Sequence, residues 1–126
     1  MSEMTFEEIL ESVNKEGSFE ASMLASSDGL PIATVPSDYD TDIIAAMVAL
    51  LRNVARETQD HVGLAQLDEV STRARDSIRL VCRYFSVNDE DLILAVVVPS
   101  QQRYYRRLTN RAIREINLAW RALVKT

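Results

Sequence analysis

Residues 92–98, LILAVVV, are apolar at every position. Side chains of a strand alternate between two faces, so such a run needs cover on both of them. Pro99 stops it, and the polar turn Asn88-Asp89-Glu90 leads into it from residues 78–85, where Ile78, Leu80, Cys82 and Tyr84 alternate with other side chains. A chain that makes this strand places it centrally in a sheet, with helices on both sides.

The rest of the sequence supplies those layers. Thr5 and Glu8 stand at capping-box spacing, and Phe6, Ile9, Leu10 and Val13 form one apolar stripe, which predicts a helix over residues 5–15 with Gly17 as its stop. Two strands follow, 19–26 and 30–35, joined tightly through Asp28-Gly29, both residues suited to positive φ. Pro31 cannot donate to a ladder and pushes the second of them toward an edge or an irregular start. A helix over 41–58 comes next, with Asp40 as N-cap and Asp42 in its first turn. Residues 66–73 (QLDEVSTR) carry a weakly alternating, polar strand. The last helix, 103–124, has Tyr105, Leu108, Ala112, Ile116, Ala119 and Leu123 on one side. The order α-β-β-α-β-β-β-α predicts an α+β domain over residues 1–126, a five-stranded, mostly antiparallel sheet between helices.

The 126 residues suffice for one domain with a single core. The N-terminus is acidic (Glu3, Glu7, Glu8, Glu11) rather than a basic leader, and the longest apolar run falls far short of the ~20 residues that span a bilayer. A soluble, cytoplasmic protein is the expectation. Cys82 is the only cysteine and sits in an apolar alternation, as a buried small hydrophobe would.

Catalytic and cofactor chemistry finds little to use. Three glycines (Gly17, Gly29, Gly63) cannot build a phosphate-cradling or dinucleotide loop. His61, the only histidine, has no second ligand for a metal. Asp38, Asp40 and Asp42 lack the glycine and closing glutamate of a calcium loop and open directly into a helix, so they read as capping residues. The expectation is a non-enzyme with no cofactor and no metal.

Two surfaces remain. The net charge of −5 conceals a division: residues 1–63 carry a net −9 and residues 64–126 a net +4. Arg103, Arg107, Arg111, Arg114 and Arg121 share the polar side of the last helix, a solvated back or a face for acidic protein, anionic lipid or nucleic acid. Overall acidity ranks lipid and nucleic acid last. The second surface lies on the helix at 41–58. Ile43, Met47, Leu50, Leu51 and Val54 make one stripe there, and Ile44, Val48 and Ala55 lie beside it. That is more apolar surface than contact with one sheet requires, and a surplus of this kind marks an association site. The expected interface with a second copy is Ile44, Met47, Val48 and Leu51, with Val70 and Thr72 on the polar strand as a free edge. The remaining face of the helix carries Ala45, Ala49, Arg52 and Arg56 as candidate partner contacts.

The stretch MLASSDGLPIAT (residues 23–34), the helix IIAAMVALLRNVARET directly after it, and LILAVVVP before an amphipathic C-terminal helix together resemble the roadblock/dynein light chain family. The likeness runs from about Phe6 to Leu123. It implies a roadblock/profilin-like sandwich that homodimerises through its second helices and third strands. It further implies an adaptor or regulator of small Ras-like GTPases, prokaryotic members among them stimulating GTP hydrolysis. A scaffold subunit that leaves hydrolysis unchanged is the alternative. The motif carries no catalytic position, and the arginine-rich last helix departs from the family pattern.

Overall fold

The computed structural model describes residues 4–37 and 41–124, the side chains of Thr41, Asp42 and Ile43 excepted. The expected N-cap at Asp40, the expected cap residue Asp38 and the first-turn side chain of Asp42 lie outside the described residues. Eight elements follow in the expected order: α1 (Phe6–Gly17), β1 (Ala21–Ser26), β2 (Pro31–Val35), α2 (Thr41–Val62), β3 (Glu69–Arg73), β4 (Arg79–Val87), β5 (Glu90–Val98) and α3 (Tyr105–Val124). The strands form one sheet in the order β2-β1-β5-β4-β3, every ladder antiparallel. β5 is central, as its uniformly apolar run requires.

Both faces of the sheet are covered. On one side α2 closes a core of Met23, Ala25, Ile44, Val48, Cys82, Ile93 and Ala95. On the other, α1 and α3 close a larger core with Ile9, Leu10, Val13, Leu24, Leu94 and Ile116 at its heart. Ser22 pairs with Val96 and Met23 with Ala95, so consecutive residues of one strand feed alternate cores.

Helix ends show where local signals were sufficient. Thr5 and Glu8 form the capping box, each side chain accepting from the other's backbone N–H at 3.1 Å. Gly17 does not stop α1. Ser18 does, in the left-handed region (φ 54), while Gly17 remains helical for reasons of space: a Cβ there would come within 2.6 Å of the Phe19 ring. α2 runs four residues past the expected Thr58, because nothing before Gly63 breaks it. Gly63 (φ 79) then turns the chain and donates to Gln59 O at 3.1 Å.

Two of the three hairpins are tight. Asn88 (φ 51) and Asp89 (φ 66) form a two-residue connection between the paired Val87 and Glu90, the twist-matched arrangement for a hairpin. At the β1–β2 turn only Gly29 takes positive φ (82); Asp28 does not share it. Ser26 holds this turn, its backbone oxygen accepting from Gly29 N at 2.9 Å and its hydroxyl from Leu30 N at 3.2 Å. The ladder register shifts between Leu24 and Ala25, opposite Pro31, on what is an edge strand. Both consequences expected of Pro31 are present.

Candidate partner-binding surface

α2 lies along the sheet with one arc buried: Ile44 is 6%, Val48 0% and Ala55 5% exposed. Leu51 is half-buried beside them. Ile44 and Val48, expected at the interface with a second copy, are therefore core residues of a single chain. The apolar surface left over sits further round the helix. Met47 (44%), Leu50 (63%) and Val54 (49%) recur at i, i+3, i+7 as one exposed stripe. Ile43 is expected on the same stripe, but its side chain is outside those described.

At ~100° per residue this stripe lies on the flank of α2 opposite Ala45, Ala49 and Arg52, toward β3. β3 is the far edge of the sheet, and one side of its ladder is unpaired among the described residues. Val70 pairs with Cys82 and Thr72 with Leu80, so both share the α2 face of the sheet. Val70 and Leu80 are half-buried and Thr72 is exposed. Stripe and edge are thus adjacent.

The opposite flank of α2 is occupied by the chain itself. A Cβ at Gly29 would meet Ala49 Cβ at 3.0 Å and Ala45 O at 3.3 Å. The small side chains at 45 and 49 let the hairpin tip close onto the helix, so these two half-buried alanines, candidate partner contacts in the sequence, serve internal packing. Arg52 reaches Asp28 on the same tip at 3.9 Å, a loose pair of small energetic weight. Arg56, one turn on, is exposed and makes no ion pair among the described residues. Beneath these arginines lies a cavity of about 210 Å³, walled by Ala55, Gln59, Tyr84, Ile93 and Ser27. The Tyr84 hydroxyl is buried there with no hydrogen-bond partner among the described residues, and burial raises its pKa well above the ordinary phenol value. Cys82 is fully buried, and desolvation pushes its thiol up to about 12.

One group of residues had no counterpart in the sequence reading. Arg83, 4% exposed, donates to Thr109 Oγ1 (2.6 Å), Asn110 Oδ1 (2.8 Å) and Asp68 Oδ1 (3.4 Å). Arg106 joins Asp68 at 2.7 Å and Glu69 at 2.6 Å, and the Tyr105 hydroxyl donates to Glu69 at 2.8 Å. The hydrogen bond from Arg106, helped by the charge of Arg83, holds the Asp68 carboxyl below its usual range. The network fastens the start of β3 to α3 and so fixes the edge strand. The only trace in the sequence was Asp68-Glu69 ahead of a polar strand.

α3 starts at Tyr105, so Arg103 lies just ahead of it; Arg103, Arg107, Arg114 and Arg121 are exposed and make no ion pair with a described residue, whereas Arg111 pairs with Glu16 at 2.7 Å and Glu115 at 3.5 Å. Among the described residues no group of three or more His, Cys, Asp or Glu is placed to hold a metal, and no helix is long and apolar enough to cross a membrane.

Residues 5–98 match the family model of the Roadblock/LC7 domain, leaving α3 outside the match. Among solved structures, Myxococcus xanthus MglB superposes with a TM-score of 0.72 at 12% identity, over 93% of this chain and 95% of that one. The Roadblock/LC7 domain from Streptomyces avermitilis gives 0.69 at 15% identity, over 99% and 100%. The gliding protein MglB from Thermus thermophilus gives 0.66 at 18%, over 87% and 84%. At these identities the structures speak to the fold. No curated protein matches the chain in sequence.

Proposed function

The chain belongs to the Roadblock/LC7 family, and on that premise we propose that it is a homodimeric adaptor, residues 1–126 forming one roadblock-like domain. In this reading it binds a small Ras-like GTPase in the cytoplasm and shifts its nucleotide state. The observation that supports this best is the exposed stripe Met47, Leu50 and Val54 beside the free β3 edge. Two copies meeting there cover six apolar side chains and extend the sheet across both chains. Each was about half exposed, and full burial of such a side chain is worth roughly 1.5–3 kcal/mol, so the gross gain is about 5–9 kcal/mol before association costs.

The paired α2 helices then present one rigid surface to the GTPase. A binder shifts a two-state partner only through its differential affinity for the two states. The adaptor therefore needs no catalytic centre of its own; it favours one arrangement of the switch loops. Arg56, free and exposed on the outer rim of the cavity, is the leading contact, with Arg52 behind it. An arginine supplied in trans at a GTPase site is worth ~10³–10⁵ in rate.

Phosphate release by a small GTPase encoded beside this gene, with and without the purified protein, tests the reading. The expected result is a changed hydrolysis or exchange rate, reduced in Arg56→Ala. Absence of binding to every such GTPase would refute it, and binding with unchanged turnover would move the assignment to a scaffold.

A further inference from the structure

We propose that the outer layer formed by α1 and α3 is a second self-association surface, on which the acidic first turns of α1 pair with the arginine row of α3 in another copy. The two helices are antiparallel neighbours. Glu16 meets Arg111 at 2.7 Å at one end, and the rings of Phe6 and Trp120 lie 5.9 Å apart at the other. The start of α1 is therefore level with the second half of α3.

Apart from Lys15, exposed in the last turn of α1, and Glu115 on α3, the charges on this layer are sorted by helix. Arg107, Arg114 and Arg121 follow one another at seven-residue steps, about 10.5 Å apart along a single line. Glu115, the one acid on α3, is taken up by Arg111. Glu7, Glu8 and Glu11 are exposed on α1, and none forms an ion pair with a described residue; Glu8 also closes the capping box. Glu16–Arg111 is the one ion pair joining the two helices among the described residues, and Glu7, Glu8 and Glu11 on α1 and Arg107, Arg114 and Arg121 on α3 form separate outward-facing strips.

A two-fold axis parallel to the helices lays α1 of each copy on α3 of the other. Glu7 and Glu11 then face Arg121 and Arg114, twice over, and Leu118, 65% exposed between those two arginines, is covered. Charge complementarity selects a second copy over a polyanion. A lipid surface or nucleic acid attracted by the arginines is repelled by the glutamates alongside them and by the net charge of −5. This layer is on the opposite side of the sheet from α2, so the contact is independent of the α2 pairing and links dimers without covering it.

Exposed ion pairs weaken as salt screens them, the Debye length shrinking to about 8 Å at 0.15 M. Sedimentation velocity of the full chain at 100 μM should show a species in 20 mM NaCl of twice the mass found in 300 mM NaCl. Arg114→Glu/Arg121→Glu and Glu7→Arg/Glu11→Arg should each abolish the doubling, with the helical signal by circular dichroism retained. Mixing the two variants should restore it, since acids at positions 7, 11, 114 and 121 of one then meet bases at the same four positions of the other. Equal mass at both salts, or a mixture that stays apart, overturns the proposal. So does retention of the wild-type chain on phosphatidylglycerol vesicles or a DNA duplex in 20 mM NaCl without any change of mass.

Discussion

Replacing Arg83 by methionine should loosen β3 from the rest of the molecule. Methionine keeps much of the length and volume while removing the guanidinium, which donates to Thr109 and Asn110 at 2.6 and 2.8 Å and to Asp68 at 3.4 Å. Hydrogen bonds from a charged donor contribute about 1.5–3 kcal/mol each, and the low end applies because Asn110 is exposed and the Asp68 side chain is 56% exposed. The groups left behind are not orphaned: Thr109 still donates to Tyr105 O at 2.8 Å, and Arg106 still holds Asp68 and Glu69. Two good bonds at about 1.5 kcal/mol, less about 1 kcal/mol for no longer burying a cation, leave a loss of about 2 kcal/mol. In a chain of this size that lowers Tm by about 6–10 °C. Urea unfolding gives the free energy, and amide exchange gives its location, with residues 69–73 losing protection before β1 and β5 do. Arg83→Lys keeps the charge without the planar fork and should fall between. A loss below 0.5 kcal/mol, or faster exchange spread evenly over the sheet, would refute the view that this cation fastens the edge strand.

Other substitutions probe the turns and the core. Asp89→Gly should stabilise the chain by about 0.5–1 kcal/mol in urea unfolding, because both turn residues take positive φ and an Asn-Gly pair suits that turn. Gly29→Val should cost about 2 kcal/mol or more, since a β-branched residue at φ 82 is strained and its Cβ would press on Ala49; the same titration reads it. Cys82, fully buried with its thiol pushed up to about 12, should resist Ellman's reagent at pH 8 and react only as fast as the chain unfolds.

What the sequence revealed divides by range. The capping box at Thr5 and Glu8, the central strand at 92–98 and the β1–β2 turn depend on residues within a few positions of one another, and periodicity or turn chemistry reports such relations directly. The Arg83 network does not: Arg83 bonds Asp68 across 15 positions and Asn110 across 27, and Arg106 reaches Asp68 across 38. No local pattern encodes those distances. α2 is the instructive intermediate. Periodicity correctly found more apolar surface than one sheet needs, but it gives angles between residues and not the orientation of the whole helix. That orientation is set by the hairpin tip, whose Gly29 packs on Ala45 and Ala49 and so turns Ile44 and Val48 inward and Met47 and Leu50 outward. The glycine and the two alanines were visible in the sequence; their mutual contact was not. At the end of α1 the same limit appears in miniature, where Gly17 serves a neighbouring ring and Ser18 makes the cap.

The proposed function requires the outward flank of α2 to meet its counterpart in a second copy. Sedimentation equilibrium in 300 mM NaCl, at tens of micromolar, should give twice the chain mass of 14.2 kDa for the wild type. Leu50→Asp/Val54→Asp, altering only exposed positions, should give a folded chain at 14.2 kDa. A wild type that sediments as a single chain, or a doubly substituted variant that still pairs, would contradict it.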